Sequence, residues 1–349
     1  MSHKFYYEFA SSDYYDLGYQ MGKTFREDLK RIIKISFDRL KEIGVEVPYD
    51  EQSIDLIREI FPQYYSQFEG YSSGAGIDIR HFWALFFNNN IINSNDLETN
   101  NEKCTTLVTN KGELLAHCED GALKTSTEVC LIKTNIKGIT KFEVFYYGFI
   151  GGDAIGYSEN GFVYAVNSLY SNIGNKHGIL KDIVARYLTD ADDFGDVQKR
   201  TEFISKYKML GEYNYNFVSK EGRLMNIEST EAEFDIKFPE TPFVHTNHYL
   251  GRLKKYEAVE KYRVFPHRSK REIDSFNRYN YAINNLKSSM SVKDLKDLCS
   301  EHKSKTCSDL YNYYTDAVVI ADIVNKKFIV NLVREKNDGW IEYCMNFRS

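Results

Sequence analysis

The segment NEKCTTLVTNKGELLAHCED, residues 101–120, gives the first indication of the architecture of this chain. It places Cys104 and two threonines at the start of a predicted β-hairpin, whose turn is Asn110-Lys111-Gly112. The polar segment 94–103 precedes the cysteine and has the composition of an exposed linker. A sheet would hold the side chain and backbone nitrogen of Cys104 rigidly, which favours a reactive role for this residue.

The residues in front of the hairpin have helical periodicity. Apolar residues recur at helical spacing after Asp13, a good helix N-cap, and predict a first helix that ends near Gly44. Two further helices are predicted over residues 49–68 and 78–90.

The segment GYQMGKT, residues 18–24, resembles a phosphate-binding loop. It has three residues between its glycines where that motif needs four, and it lies inside an amphipathic helix instead of following a strand. We therefore predict no nucleotide site there, and we expect Gly18 and Gly22 to let two helices approach closely.

Behind the hairpin, groups of strands and groups of helices follow one another. The predicted strands cover residues 129–134, 141–147, 162–167, 213–219, 223–228, 233–238, 242–246, 315–324, 327–334 and 340–347. The predicted helices cover residues 178–188, 193–207, 252–262, 270–286 and 292–302. This order predicts an α+β fold in which two antiparallel sheets pack on each other with helices outside.

Composition and charge exclude several classes of protein. The 349 residues are 42% hydrophobic and 15% aromatic, which is enough to bury a core rich in rings. A net charge of −5 without a basic patch argues against a nucleic-acid partner. Neither a signal peptide nor an apolar run of membrane-spanning length is visible, so we expect a cytoplasmic protein with no membrane partner. The six cysteines lack CxxC spacing and are expected to be thiols without disulfide bonds.

A lone cysteine is most often a small buried hydrophobe, but Cys104 has a second interpretation. If the Lys103–Cys104 bond were cut, Cys104 would carry an α-amino group with a pKa of about 7.7–8.0. That group is a suitable base for the thiol of the same residue near neutral pH. Residues 1–103 would then be a helical pro-segment, and residues 104–349 would be a catalytic domain that begins with its nucleophile.

The segment HTNH, residues 245–248, is a further candidate site. His245 and His248 would not share one face of a strand, and no carboxylate or cysteine partner lies nearby in the sequence. We therefore favour a polar strand end in which His245 lines a substrate pocket over a metal site.

Four segments together resemble the acyl-coenzyme A:6-aminopenicillanate acyltransferase family. They are CTTLVTNKGELLAHCED, the later FVHTNH, the N-terminal DLGYQMGKTF, and residues 146–170, which turn at Glu159-Asn160-Gly161. Members of this family are autoproteolytic N-terminal-nucleophile hydrolases, related more distantly to bile-salt hydrolases and penicillin V acylases. The resemblance covers about residues 10–335 and implies a four-layer αββα sandwich.

The resemblance also implies a function. Cys104 attacks the carbonyl of Lys103, an N-to-S acyl shift follows, and water cleaves the resulting thioester. The freed cysteine then acts on a small N-acyl substrate, an amide or a thioester, as an amidohydrolase or acyltransferase through an acyl-enzyme. An acyl-coenzyme A is one possible acyl donor. No metal or organic cofactor is needed. The two fragments are expected to stay associated after cleavage.

Individual residues take roles from the same resemblance. Asp120 matches the acidic residue after the first hairpin and would position the new α-ammonium group. Asn247 matches the Asn of His-Thr-Asn-His and would donate to the oxyanion of a tetrahedral intermediate. Thr105 and Asn167 are candidates for the substrate pocket.

Two features depart from the family pattern and leave alternatives open. Lys103 stands where the family commonly has glycine, and the family's late arginine has no counterpart in Cys307-Ser308-Asp309. Both favour an uncut, catalytically silent relative that binds a ligand or partner. A third interpretation is a conventional cysteine peptidase that pairs Cys104 with His245 or His117.

Overall fold

The computed structural model describes residues 5–42, 44, 46–91, 104–120, 129–257, 266–300, 315–333 and 339–348. These residues form two large β-sheets packed face to face, with helices on both outer faces, and a separate two-stranded sheet. The predicted four-layer αββα sandwich is therefore confirmed. Among the described helices, none is long and apolar enough to cross a membrane.

The N-terminal segment contributes helices and one strand. They are β1 (Tyr6–Ser11), α1 (Tyr14–Thr24), α2 (Arg26–Glu42), α3 (Glu51–Ile60), α4 (Pro62–Ala75) and α5 (Ile79–Ile91). The predicted second helix is divided at Phe61, because Pro62 has no N–H to continue α3 and instead occupies the first turn of α4. The segment was expected to be helical, and β1 was not predicted; β1 pairs in parallel with a strand from a distant part of the chain.

The remainder of the chain supplies most of both sheets. Its first strands and helices are β2 (Thr105–Thr109), β3 (Leu114–Asp120), β4 (Val129–Ile136), β5 (Ile139–Tyr146), β6 (Ile155–Ser158), β7 (Phe162–Leu169), β8 (Ile179–Leu180), α6 (Lys181–Thr189), α7 (Phe194–Ile204) and β9 (Met209–Leu210). The others are β10 (Glu212–Ser219), β11 (Leu224–Ser229), β12 (Phe234–Lys237), β13 (Phe243–His245), α8 (Pro266–Asn285), α9 (Val292–Ser300), β14 (Thr315–Asp322), β15 (Lys327–Leu332) and β16 (Ile341–Cys344).

One predicted helix is wrong over the residues that are described. Residues 252–256 form a short 3-10 turn, and Glu257 makes an isolated bridge to Ser171. The carboxylate of Glu228 accepts the backbone N–H groups of Leu250 and Gly251, which ties the start of this segment to β11. Those side-chain bonds compete with a regular helix start.

The larger sheet has the strand order β1-β4-β5-β6-β7-β10-β11-β12, and the smaller has β13-β2-β3-β14-β15-β16. Strand pairing is antiparallel throughout both sheets except for β1 with β4. Helices α1–α7 lie on the larger sheet, and α8 and α9 cover the smaller one. This topology puts β2, which follows Cys104, in the interior of the smaller sheet.

The aromatic residues explain how the N-terminal helices are held. Phe25, Phe68, Trp83 and Phe86 are buried together in the core between the helices and the larger sheet. The expectation of a core rich in rings is therefore confirmed.

The cysteines follow their predicted state where the structure describes them. Cys104, Cys118, Cys130, Cys299 and Cys344 form no disulfide bond. The sixth cysteine, at position 307, lies outside the described residues.

Glycines let α1 and α4 touch along their backbones. A Cβ at Gly18 would lie 2.0 Å from the carbonyl oxygen of Gln67, and one at Gly22 would lie 2.1 Å from that of Tyr71. Glycines of α4 make the reciprocal contacts with α1. The prediction that Gly18 and Gly22 permit close helix approach is confirmed.

Gly18→Ala is therefore expected to destabilise the protein by about 3 kcal/mol or more, since a side chain forced into a packed backbone contact separates the two helices. Alanine otherwise favours the helix over glycine by about 1 kcal/mol, so a decrease in the free energy of unfolding can come only from the clash. Urea unfolding measures the change. The matched control is Gly174→Ala, because a Cβ there meets no atom within 4 Å. A Gly18→Ala variant as stable as wild type would contradict the close helix contact.

Candidate active site

Cys104 immediately precedes β2, which lies between β13 and β3. Successive side chains of a strand point to opposite faces. Val108 packs in the core between the sheets, whereas Leu107 packs against the outer helices. By this alternation Cys104 and Thr106 face the space between the sheets, and Cys104 is only 4% exposed.

A carboxylate and an imidazole from β3 lie beside the Cys104 thiol. Its Sγ donates to Oε1 of Glu119 at 3.4 Å, and Oε2 of Glu119 lies 2.9 Å from Nε2 of His117. His117 and Glu119 are two residues apart on β3, so both reach the inner face. All three side chains are buried.

The hydrogen bonds around His117 indicate which atoms carry protons. Thr106 Oγ1 donates to Oδ1 of Asn167 at 2.8 Å, and Asn216 donates to the same oxygen at 3.2 Å, which sets the orientation of the Asn167 amide. With its one proton committed, Thr106 accepts from Nδ1 of His117 at 2.9 Å. The contact between His117 Nε2 and Glu119 Oε2 therefore holds a further proton, shared by the two groups.

Tyr146 completes the environment of Glu119. Its hydroxyl donates to Glu119 Oε1 at 2.7 Å. Burial, with the nearby Glu119 charge, raises the pKa of Tyr146 well above its usual value, so the hydroxyl keeps its proton and acts as a donor. Glu119 Oε1 thus accepts from both Tyr146 and the Cys104 thiol, and it is placed to take the thiol proton.

A buried arginine, Arg278 of α8, supports the strand start from the opposite face. Its Nη1 donates to the backbone oxygen of Cys104 at 2.9 Å and to Oγ1 of Thr105 at 2.7 Å. Its Nη2 donates to Oδ1 of Asn247 at 2.7 Å. One guanidinium therefore links the start of β2 at Cys104, the loop after β13, and α8. Thr105, a candidate for the substrate pocket, takes part in this support on the outer face.

Asn247 is held from several sides. Its Oδ1 accepts from Arg278, its Nδ2 donates to the backbone oxygen of Ser168 at 2.9 Å, and its backbone N–H donates to Oγ of Ser275 at 2.8 Å. Because an amide NH2 carries two hydrogens, the bond to Ser168 uses only one of them. Arg278 thus fixes the amide so that its NH2 faces away from the guanidinium.

Asp120 ends β3 and is fully buried. It lies on the opposite face from Glu119, beside Cys118. A hydrogen bond with Cys299 and burial raise the pKa of the Cys118 thiol; the Asp120 charge raises that pKa further, and a nearby arginine opposes it. Cys118 pairs with Thr105, the residue that follows Cys104. Because the two strands are antiparallel, Asp120 lies further along β3 on the side of the Cys104 backbone nitrogen.

His245 is not brought to the Cys104 thiol. Its Nε2 lies 3.1 Å from Oε1 of Glu228, and its Nδ1 lies 2.8 Å from the backbone oxygen of Thr246. Both ring nitrogens of this buried histidine are thus occupied by groups outside the cluster around Cys104. Of the two histidines considered as partners for Cys104, the structure places His117 there.

Residues 107–336 match the family profile described as acyl-coenzyme A:6-aminopenicillanic acid acyl-transferase. The chain belongs to this acyl-transferase family. The matched region contains β3, Asn167, Asn247 and Arg278 but begins after Cys104, so the match itself does not identify the nucleophile.

Other proteins show more distant similarity. A beta-alanyl-dopamine/carcinine hydrolase of Drosophila melanogaster is 20% identical over 212 residues, which are 54% of this chain and 54% of that protein, so the alignment spans about half the length of the relative. A mutant conjugated bile acid hydrolase of Clostridium perfringens has 12% identity and a TM-score of 0.42, covering 71% of this chain and 93% of that one. Penicillin V acylase of Agrobacterium tumefaciens has 11% identity and a TM-score of 0.40, covering 72% and 80%.

The two departures from the acyl-transferase family pattern fall outside the described residues. They are Lys103 and the segment 307–309, which begins with Cys307. Arg278 was not anticipated from the sequence, and it places a guanidinium against the backbone of Cys104 from a different part of the chain.

Proposed function

We propose that this chain is a cysteine N-terminal-nucleophile enzyme that cuts itself before Cys104 and then acts on small N-acyl compounds, as an amidohydrolase or acyltransferase. The observation that carries the proposal is the hydrogen bond from the Cys104 thiol to Glu119, inside a buried cluster with His117 and Tyr146. A thiol aimed at a proton acceptor at a strand start is arranged for nucleophilic chemistry.

Self-cleavage needs a base before any α-amino group exists, and Glu119 supplies it. The carboxylate takes the thiol proton, and the thiolate attacks the carbonyl carbon of Lys103. The carbon–nitrogen bond breaks, and the backbone nitrogen of Cys104 leaves as an amine after receiving a proton from the Glu119–His117 pair. Water then adds to the thioester, which restores the thiol and leaves a carboxylate on Lys103.

In turnover, the new α-amino group of Cys104 takes over as the base. The thiolate attacks the substrate carbonyl, the α-ammonium protonates the departing amine, and a thioester acyl-enzyme remains. Water resolves it in hydrolysis, and an acceptor amine resolves it in acyl transfer. Asp120 lies on the nitrogen side of Cys104 and would balance the α-ammonium charge.

Asn247 is the proposed oxyanion donor. Its Nδ2 uses one hydrogen for Ser168, and the second is available to a tetrahedral oxyanion, a contact worth about 3–4 kcal/mol in comparable sites. Arg278 holds the amide in this orientation through Oδ1. We propose that Arg278 does the work of the family arginine that the segment after Cys307 lacks.

The wall opposite Cys104 is polar, which bears on the substrate. Asn167, Asn214, Asn216 and Asn226 form a hydrogen-bonded row on the inner face of the larger sheet. Amide side chains suit a substrate with hydrogen-bonding atoms close to its scissile bond. A small N-acylated amine, the kind of compound named for the Drosophila relative, fits this description.

The N-terminal segment is proposed to stay bound after cleavage. Tyr64 and Tyr14 donate to Asp190 at 3.0 and 3.5 Å, and Asp190 is ion-paired with Lys141 and Arg186. Burial alone would raise the pKa of Asp190, but the two cations hold that pKa well below its usual range. The aromatic core adds a large apolar contact. Separation of the fragments on native gel filtration would contradict this proposal.

A mass measurement during turnover tests the function. The purified protein is incubated with a set of N-acyl amines, quenched in acid and weighed. We expect an acyl adduct on the fragment that begins with Cys104, and loss of activity after a reagent selective for α-amino groups. Cys344→Ser, which removes an exposed thiol, is the control and should keep both.

The same measurement separates the alternatives. A conventional cysteine peptidase that pairs Cys104 with His117 would be active as the full-length chain and would resist α-amino blocking. A silent binding protein would form no adduct with any member of the substrate set. Either result would contradict the proposed function.

A further inference from the structure

We propose that Cys104, His117 and Glu119 form a binding site for Zn²⁺, and that the bound ion silences the nucleophile. The three side chains supply a thiolate, an imidazole nitrogen and a carboxylate oxygen, which are the ligand types that zinc prefers. Their ligand atoms all lie within 4.8 Å of one another, and all three residues are buried.

Two contacts within the cluster, made through different oxygens of Glu119, can be compared with the ligand spacing of a tetrahedral site. Zinc bonds of about 2.0–2.3 Å at tetrahedral angles put neighbouring ligand atoms about 3.3–3.7 Å apart. Cys104 Sγ and Glu119 Oε1 are already 3.4 Å apart, and His117 Nε2 and Glu119 Oε2 are 2.9 Å apart. To admit the ion, the second contact would open by about half an ångström, which is within the ordinary amplitude of side-chain motion. The three ligand atoms, which lie within 4.8 Å of one another, would adjust to the same spacing.

The surroundings support the ligands as they do in established zinc sites. His117 Nδ1 donates to Thr106, which leaves Nε2 for a metal, and Tyr146 donates to Glu119. Partners of this kind orient zinc ligands, and their loss typically weakens metal binding by about 10–100-fold. Thr106 in turn donates to Asn167, so Asn167 orients Thr106 and Thr106 orients the imidazole.

Occupation by zinc would stop the chemistry proposed for this site. The thiol proton and the proton shared by His117 and Glu119 pass to solvent, so that Sγ, Nε2 and the carboxylate can bind zinc. The sulfur electron pair is then no longer available to attack a carbonyl. Glu119 and His117 lose their role as proton acceptors at the same time. After cleavage, the α-amino nitrogen of Cys104 adds a ligand in a five-membered chelate ring. The inhibitory part of this inference rests on the proposed function, whereas the binding part does not.

Cobalt substitution tests the binding. Co²⁺ is added to metal-free protein, and the thiolate-to-cobalt charge-transfer band is followed; Zn²⁺ should then displace it with one ion per chain. His117→Gln is expected to weaken Zn²⁺ binding by at least about 100-fold, and Thr106→Val by about 10-fold without removing a ligand. Cys344→Ser should bind like wild type. Equal binding in His117→Gln and wild type would overturn the site.

Self-cleavage and amide hydrolysis are measured in parallel with and without Zn²⁺. If the enzyme is active but gives no cobalt–thiolate band, the zinc site is wrong and the proposed function stands. If the band is present but the chain neither cleaves nor hydrolyses amides, the proposed function is wrong and the metal site stands. Full activity at saturating Zn²⁺, with the band present, would overturn the inhibitory role.

Discussion

Cys104→Ala is expected to leave the chain uncut and to lower amide hydrolysis by at least about 10⁴-fold, the size of effect seen when a nucleophile is removed. Alanine keeps the strand and the backbone bond to Arg278 but cannot form an acyl-enzyme. The loss of one buried sulfur should change the free energy of unfolding by only about 1 kcal/mol. Urea unfolding and a substrate assay on the same sample therefore separate catalysis from stability.

The matched control is Cys130→Ala. Cys130 is also fully buried, but it lies on the outer face of the larger sheet among the N-terminal helices. This variant should lose a comparable amount of stability and still cut itself. Turnover by uncut Cys104→Ala would show that another residue is the nucleophile.

Arg278→Lys is expected to slow self-cleavage and turnover by about 10²–10³-fold. A lysine ammonium keeps the charge but cannot span Cys104, Thr105 and Asn247 as the planar guanidinium does. The Asn247 amide would then lose the contact that orients it. We expect the kcat to fall more than the KM rises, because the oxyanion contact is made in the transition state.

Arg278→Met removes both the positive charge and the hydrogen bonds of Arg278, whereas Arg278→Lys keeps the charge. The methionine substitution removes the guanidinium donor from buried acceptors on Cys104, Thr105 and Asn247, and we expect it to destabilise the fold by about 3–5 kcal/mol. Arg58→Lys, at an exposed arginine on α3, is the control and should change neither property. An Arg278→Lys variant with wild-type kcat would contradict the positioning role.

Local patterns predicted much of this molecule. The strand start at Cys104, the antiparallel sheets and the packing glycines Gly18 and Gly22 each depend on residues near one another in the sequence. Strand alternation also carried an unused signal, since His117 and Glu119 share one face of β3 and His117 pairs with Thr106. The alternation on that face is therefore sufficient to predict an imidazole and a carboxylate beside Cys104.

Long-range contacts could not be predicted in this way. Arg278 reaches Cys104 only because α8 packs across the smaller sheet, and its helix has no motif that distinguishes this arginine from its neighbours. Strand β1 pairs with β4, and the whole helical segment lies between them in the sequence, so no local turn motif predicts this pairing. In both cases tertiary packing, which local sequence does not encode, decides the contact.

The intact mass of the purified protein, measured beside that of Cys104→Ala, is the decisive test of self-cleavage before Cys104. Scaling the total of 40.7 kDa by 103 and 246 of the 349 residues gives fragments of roughly 12 and 29 kDa. We expect these two fragments in the wild type and one species of 40.7 kDa in the variant. A single uncut species in both would leave Cys104 without an α-amino base and would contradict the proposed self-cleavage.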